Sequence, residues 1–330
     1  MSVNVNLYNG HNKEINCCCF TSDEKLLVTA SDDCSLHVYN FQKKNIICQL
    51  IGHSAPVITC KISNNDRLLA SGSLDTTIKL WDLNTGDCFK TLKNHTKSVE
   101  CVCFSKDDKY LASASWDKTV ALWNVEKGEL IYMLQKHSSG VRSCCFSLNF
   151  YQEKENFPML ATGGWDNLVL LWKFSKKNVK TIEADMNLIH GFVPQKKDNV
   201  RVASLEGHIR SVVSVLLSKE GFLASASMDC TIKLWNSKKA TLLKTFKGHK
   251  GWISAICFSP NSLELVSASE DGTVRVWNVL NGDSMELYQK SLDKTSTCFF
   301  SPSGSLFIAG SIYLLPTKSD HELHDVFHGR

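Results

Sequence analysis

The sequence contains no run of ~18 consecutive apolar residues, the length needed for a helix that crosses a bilayer, so no membrane span is expected. Its first residues, MSVNVNLYNG, lack a charged-then-apolar leader, so no secretory signal is expected. An excess of one charge is also missing. Lys and Arg total 37 against 33 Asp and Glu, a net charge of +4 at pH 7, too small to argue for nucleic acid. No phosphate-binding loop or metal-ligand motif occurs, so neither a cofactor nor a metal is expected. Cys101 and Cys103 share a strand face, but no second pair stands at zinc-ribbon spacing.

What the chain does have is 330 residues, 43% of them hydrophobic, enough to bury a large core. Its 14 cysteines sit mostly in short apolar runs: INCCCF (15–20), VECVCF (99–104), VRSCCF (141–146) and AICF (255–258). These read as strands in which reduced cysteine acts as a small buried hydrophobe.

One unit recurs along the chain. It opens at His11, His53, His95, His137, His208 and His249. The matching aspartates are Asp33, Asp75, Asp117, Asp166, Asp229 and Asp271. Six residues beyond each stands Tyr39, Trp81, Trp123, Trp172, Trp235 or Trp277. Asp33, Asp75 and Asp117 are 42 residues apart, as are Asp229 and Asp271. Each unit offers four short β-rich runs separated by turn residues, which predicts a four-stranded antiparallel blade. A repeat of ~40–45 residues with these markers resembles the WD40 family over nearly the whole chain. The resemblance implies an all-β propeller.

Four positions before each Asp stands a hydroxyl: Thr29, Ser71, Ser113, Thr162, Ser225 or Ser267. A second hydroxyl two before is nearly as regular, but Gly164 breaks it. The family resemblance implies that Asp bonds His, His bonds the first-named hydroxyl, and that hydroxyl bonds the indole. Five tetrads are expected: His53, Ser71, Asp75, Trp81; His95, Ser113, Asp117, Trp123; His137, Thr162, Asp166, Trp172; His208, Ser225, Asp229, Trp235; His249, Ser267, Asp271, Trp277. Tyr39 takes the Trp place in blade 1, with a weaker network expected there. A Ser-His-Asp hydrolase is disfavoured. The set repeats, its hydroxyl lies within a strand, and no glycine-flanked nucleophile elbow accompanies it.

Seven blades are expected. The seventh is degenerate, drawing two strands from 295–311 and a poor third from IYLLP (312–316). Ser291, Tyr313 and Ser319 stand there in the His, Asp and Trp places. The run VNVNLY (3–8) is expected to close this blade as its outer strand, removing exposed edges. Residues 1–316 thus read as one propeller and 317–330 as an irregular tail. Two interruptions fall in blade 4, at 149–158 between its first two strands and about 174–199 between its last two. Up-down strand order places both on one face, called bottom. Lys176, Lys177, Lys180, Lys196 and Lys197 surround an apolar stretch there and suggest a second, acidic partner.

Trp116 sits in the polar turn SWDK, immediately before the Asp of its blade. In WD40 proteins this place, and those three and five residues after the His, face the top. Projected here, they assign a partner-binding face to Trp116, Trp165, Trp252, Leu74, Ile58, Met228, Val213 and Arg142, with acidity from Glu270, Asp32, Glu14 and Glu100. Apolar clusters with a polar rim commonly mark binding sites, and Trp and Arg often dominate interfaces.

The expectation is therefore a non-catalytic scaffold, a monomer within larger complexes. It binds a protein or peptide carrying apolar anchors and Lys or Arg. A chromatin or histone-tail reader is the alternative. A ubiquitin-ligase receptor is less favoured, because Trp81-Asp82 is followed by Leu83 and Asn84 rather than the expected Arg. Residence is expected in the cytoplasm, with the nucleus as the alternative.

Overall fold

The computed structural model describes residues 10–147, 156–175, 200–289, 298–300, 302–304, 306–309 and 313–316. Every regular element among them is a β-strand. Blade 1 comprises β1 (Ile15–Phe20), β2 (Leu26–Ser31), β3 (Ser35–Asn40) and β4 (Asn45–Ile51). Blade 2 runs from β5 (Val57–Ile62) to β8 (Cys88–Lys93), and blade 3 from β9 (Val99–Phe104) to β12 (Glu129–Gln135). Blade 4 comprises β13 (Val141–Phe146), β14 (Asn156–Gly164), β15 (Val169–Ser175) and β16 (Val200–Leu205). Blade 5 runs from β17 (Val212–Leu217) to β20 (Thr241–Lys247), and blade 6 from β21 (Ile253–Phe258) to β24 (Ser284–Gln289). In each, four strands pair antiparallel in chain order.

The core lies between blades. One cluster joins Val28, Leu36 and Val38 of blade 1 to Val57, Leu69 and Trp81 of blade 2. The next joins Ile78 and Leu80 to Val99, Leu111 and Trp123. The same arrangement continues at the three following junctions around Trp172, Trp235 and Trp277. Each structural Trp is therefore the wedge its blade drives against the blade before it. The second strand of a blade is sandwiched on both faces, so it uses small residues. A Cβ on Gly72 would lie 2.6 Å from Val99 Cγ1 of the next blade. The outer strand β4 instead alternates between exposed and covered positions, as a strand with one wet face should.

A three-stranded sheet follows blade 6: β25 (Cys298–Phe300), β26 (Leu306–Ala309) and β27 (Tyr313–Pro316). The turn after β25 abuts Pro260 of blade 6 through Gly304. It also reaches blade 1, where the Ser303 N–H donates to Glu24 Oε1 at 2.6 Å. Its second hairpin is tighter than the repeat predicts. Tyr313, expected at the Asp place of a turn, opens the third strand opposite Ala309. Residues 3–8, expected to supply the outer strand, and the tail 317–330 lie outside the described residues.

Blade 4 departs slightly from the expected interruptions. Strand β14 begins at Asn156, inside the segment read as a loop, and β15 continues to Ser175. The excursion before β16 thus spans 176–199, and it lies outside the described residues, as do its five lysines.

Candidate interaction surface

The loops expected on the top face are held by the tetrads. In blade 2 the His53 Nδ1 and Asp75 Oδ2 are 2.7 Å apart, and His53 Nε2 lies 2.8 Å from Ser71 Oγ. The Trp81 indole N–H donates to the same oxygen at 2.8 Å. The hydroxyl then donates to Nε2, and Nδ1–H donates to the carboxylate, so one proton direction satisfies every member. Blades 3 to 6 repeat all three bonds at 2.7–3.0 Å. Ser71, Ser113, Thr162, Ser225 and Ser267 are fully buried, so these hydroxyls serve the network and have no route to a substrate.

Each tetrad Asp also shapes the turn that carries the site. Its second carboxylate oxygen accepts the backbone N–H two residues on, as from Thr77 to Asp75 at 2.9 Å. The residue between them is left-handed: Cys34, Thr76, Lys118, Asn167, Cys230 and Gly272 have φ of 64–76°. A β-branched residue such as Thr76 pays about 1–3 kcal/mol for that conformation, and the bonds around it hold it there. Burial opposes ionisation of Asp75, but hydrogen bonds from Thr77 and His53 outweigh it and hold its pKa down to about 2. Burial pushes His53 the other way, toward the neutral imidazole the network needs.

Blade 1 keeps the network with a different side chain. His11 bonds Asp33 at 2.8 Å and Thr29 at 2.7 Å. The Tyr39 hydroxyl bonds Thr29 in place of an indole and contacts His37 Nδ1 at 3.2 Å. At Tyr39, where a weaker network is expected, His37 adds one further member to it. His11, Asp33 and His37 place possible ligand atoms within 4.8 Å of one another. However, the two imidazoles are stacked at 3.7 Å with 12° between planes. Their in-plane lone pairs run parallel rather than meeting at one point, and both His11 nitrogens are already bonded. The cluster therefore does not fit a metal.

The expected top-face places form pairs within blades. In all six, the N–H of the turn residue donates to the carbonyl of the residue three after His. The pairs are Asp32–Glu14, Leu74–Pro56, Trp116–Ser98, Trp165–Gly140, Met228–Ser211 and Glu270–Trp252, at 2.8–3.1 Å. The residue five after His is the extra residue of a β-bulge in every blade: Asn16, Ile58, Glu100, Arg142, Val213 and Ser254. A bulge takes its residue out of the strand's alternation and re-aims the side chain. Sequence periodicity alone carries no sign of this, because the bulge depends on strand register.

Neighbouring blades meet through these positions. Trp116 and Trp165 pack ring to ring at 4.7 Å. Gly140 makes room, since a Cβ there would lie 2.7 Å from Trp116 Cε3. Leu74, Trp165 and Trp252 are 46%, 38% and 42% exposed, while Trp116, Ile58, Met228, Val213 and Asp32 are half-buried. Glu14 and Glu270 are exposed. Glu100 differs from the expectation that it adds acidity. It is buried, ion-paired with Arg142 of the next blade, and bonded by Ser98 at 2.6 Å. Opposite charges at equivalent positions of consecutive repeats were the sequence signal for that pair. Asn16 likewise bridges Asp32 at 2.6 Å and the Val57 carbonyl of blade 2 at 3.0 Å.

The six-fold pattern matches a known family. The model of the WD domain, G-beta repeat, matches residues 2–40, 44–82, 86–124, 128–173, 199–236 and 240–278. The chain belongs to the WD40-repeat family. Among curated proteins it is similar to a subunit of Chromatin assembly factor 1 from Mus musculus, with 29% identity over 110 residues, 31% of this chain and 18% of that protein. It is also similar to Nuclear distribution protein nudF of Aspergillus niger, with 30% identity over 108 residues, 32% of this chain and 24% of that protein. The Gallus gallus counterpart of the mouse protein gives 30% over 110 residues, 31% of this chain and 18% of its own length. The chain thus spans under a quarter of the length of these relatives.

Proposed function

We propose that this propeller is a non-catalytic scaffold whose top face binds a protein or peptide with apolar anchors and a Lys or Arg. The observation that carries the reading is the Trp116–Trp165 pair, whose second ring is 38% exposed on a face built from satisfied loops. An exposed tryptophan on a well-ordered turn stabilises little by itself and offers much to a partner. Glu14 and Glu270, both exposed, supply the acidity that a basic group would meet. The tetrads keep the face rigid, which lowers the ordering cost of binding.

The double variant Trp116→Ala/Trp165→Ala tests this by affinity purification with mass spectrometry beside wild type. Loss of a partner, with thermal unfolding nearly unchanged, supports the reading. A large loss of stability with the partner retained refutes it.

A second reading is a histone-tail reader or a member of a histone-modifying complex. It is favoured by likeness to a component of a chromatin assembly factor and by the top-face acids. Binding of unmodified or modified histone peptides separates the two. The relatives named for chromatin assembly and for nuclear distribution make both nucleus and cytoplasm open residences. A second, acidic partner at the lysine-bearing blade 4 excursion is tested by deleting 176–197 and comparing the partners retained.

A further inference from the structure

The seam of blades 3 and 4 that carries the aromatic pair also carries a cation with unused donors. Arg142 is the bulge residue of blade 4, two residues after the Gly140 on which Trp116 packs. Its side chain is 41% exposed, and its Nη1 donates to Glu100 Oε2 of blade 3. The other Glu100 oxygen accepts from Ser98 at 2.6 Å. A buried carboxylate, held at both oxygens, thus fixes the guanidinium in place. Among the described residues the guanidinium bonds nothing else, and neither Nε nor Nη2 is shut away from solvent. Those two N–H groups share one planar edge, the geometry that takes both oxygens of a carboxylate.

The surrounding charge has one sign. Lys97 and Lys118 are exposed in the two blade 3 loops that carry Ser98 and Trp116. The carboxylates of the adjoining turns, Asp117 and Asp166, are engaged by the tetrad histidines. The exposed acids Glu14 and Glu270 belong to blades 1 and 6, separated from this seam by blades 2 and 5. The face is therefore cationic beside the tryptophan pair and acidic elsewhere.

We propose that the seam of blades 3 and 4 is a subsite for an aspartate or glutamate of the partner, next to the apolar residue that meets Trp165. The carboxylate lies on the Nε–Nη2 edge of Arg142, within the field of Lys97 and Lys118. The partner's Lys or Arg lies over Glu14 or Glu270. This rests on the top-face binding proposed above and gives the partner a direction, its acid over blades 3 and 4 and its base over blades 1 and 6. The directional element at the seam is a two-donor edge, which two coplanar oxygens fill, so the expected group is a carboxylate. Because Glu100 already orders Arg142, little side-chain freedom is lost when the carboxylate arrives.

The test selects a phage-displayed library of random dodecapeptides on the immobilised full chain. Peptides lost with Trp116→Ala/Trp165→Ala define the top-face set. They are expected to be enriched in Asp or Glu within two residues of Trp, Phe or Leu. In synthetic peptides, exchange of that acid for its amide should weaken binding to wild type by about fivefold or more. Arg142→Gln alone would orphan the buried Glu100, so the main variant is Glu100→Gln/Arg142→Gln, with thermal unfolding as the check on folding. It should keep the tryptophan-dependent binding and no longer distinguish acid from amide. Arg142→Lys retains a counterion for Glu100 without the planar edge, and should lose most of the preference. Absence of any tryptophan-dependent peptide would overturn the top-face reading itself, and this subsite with it. Three results would overturn the subsite alone: tryptophan-dependent peptides without the acid, an acid preference that survives both Arg142 variants, or tighter binding when phosphoserine replaces the acid.

Discussion

Blades 1 and 2 solve one problem with different side chains. In blade 2 an indole N–H completes the network, and the Trp81 ring lies tilted 6.3 Å from His53. In blade 1 a phenol completes it, and a second imidazole, His37, stacks on His11 at 3.7 Å. An indole can only donate, so the chain of bonds ends at Trp81. A phenol donates and accepts, so the chain continues from Tyr39 to His37. The position thus demands a donor aimed at a buried hydroxyl, not a tryptophan as such. Blade 1 also carries an extra buried titratable group. Burial, then the neighbouring His11, lowers the His37 pKa to about 4.

The largest expected effect is Ser71→Ala, which strands the Trp81 N–H and His53 Nε2 at about 2–4 kcal/mol in chemical denaturation. Thr29→Ala should cost about 1–2 kcal/mol less, because Tyr39 retains His37 as a partner. Equal losses would break the comparison. Next, Tyr39→Phe and His37→Leu should each cost about 1–2 kcal/mol but combine sub-additively, with about 0.5–1 kcal/mol of coupling. Strict additivity would show that the 3.2 Å contact between them carries nothing.

The smallest effect is a dependence on pH. Unfolded His37 takes a proton below about 6.5, whereas the folded form stays neutral until about 4. The unfolded chain therefore binds more protons in between, so acidification through that window removes stability. His37→Gln should flatten part of this slope relative to wild type. Below it, Asp33 and Asp75 both contribute. Both are held down to about 2, so their share is present above the ordinary carboxylate range and lost toward pH 2.

Much of this architecture was legible beforehand, because the His, hydroxyl, Asp and Trp markers lie within one repeat. Their spacing follows from a hairpin and its loops, which short-range chemistry dictates. What escaped was contact between repeats. The burial of Glu100 against Arg142 depends on how two blades sit side by side. So does the room that Gly140 leaves for Trp116. The role of Tyr39 also escaped, because it depends on His37 standing on the same strand.

If the top face binds a partner as proposed, the bulge that recurs in each of the six full blades separates scaffold from specificity. Its extra residue stands outside the ladder, so the backbone tolerates asparagine, isoleucine, glutamate, arginine, valine or serine there. Recognition could therefore be rewritten by exchanging these six side chains while the frame stays as it is. Positions 16, 100 and 142 are the exceptions: 100 and 142 must be transplanted together, since either charge moved alone would be left without its counterion, and Asn16 carries the bridge from Asp32 to the Val57 carbonyl of the next blade.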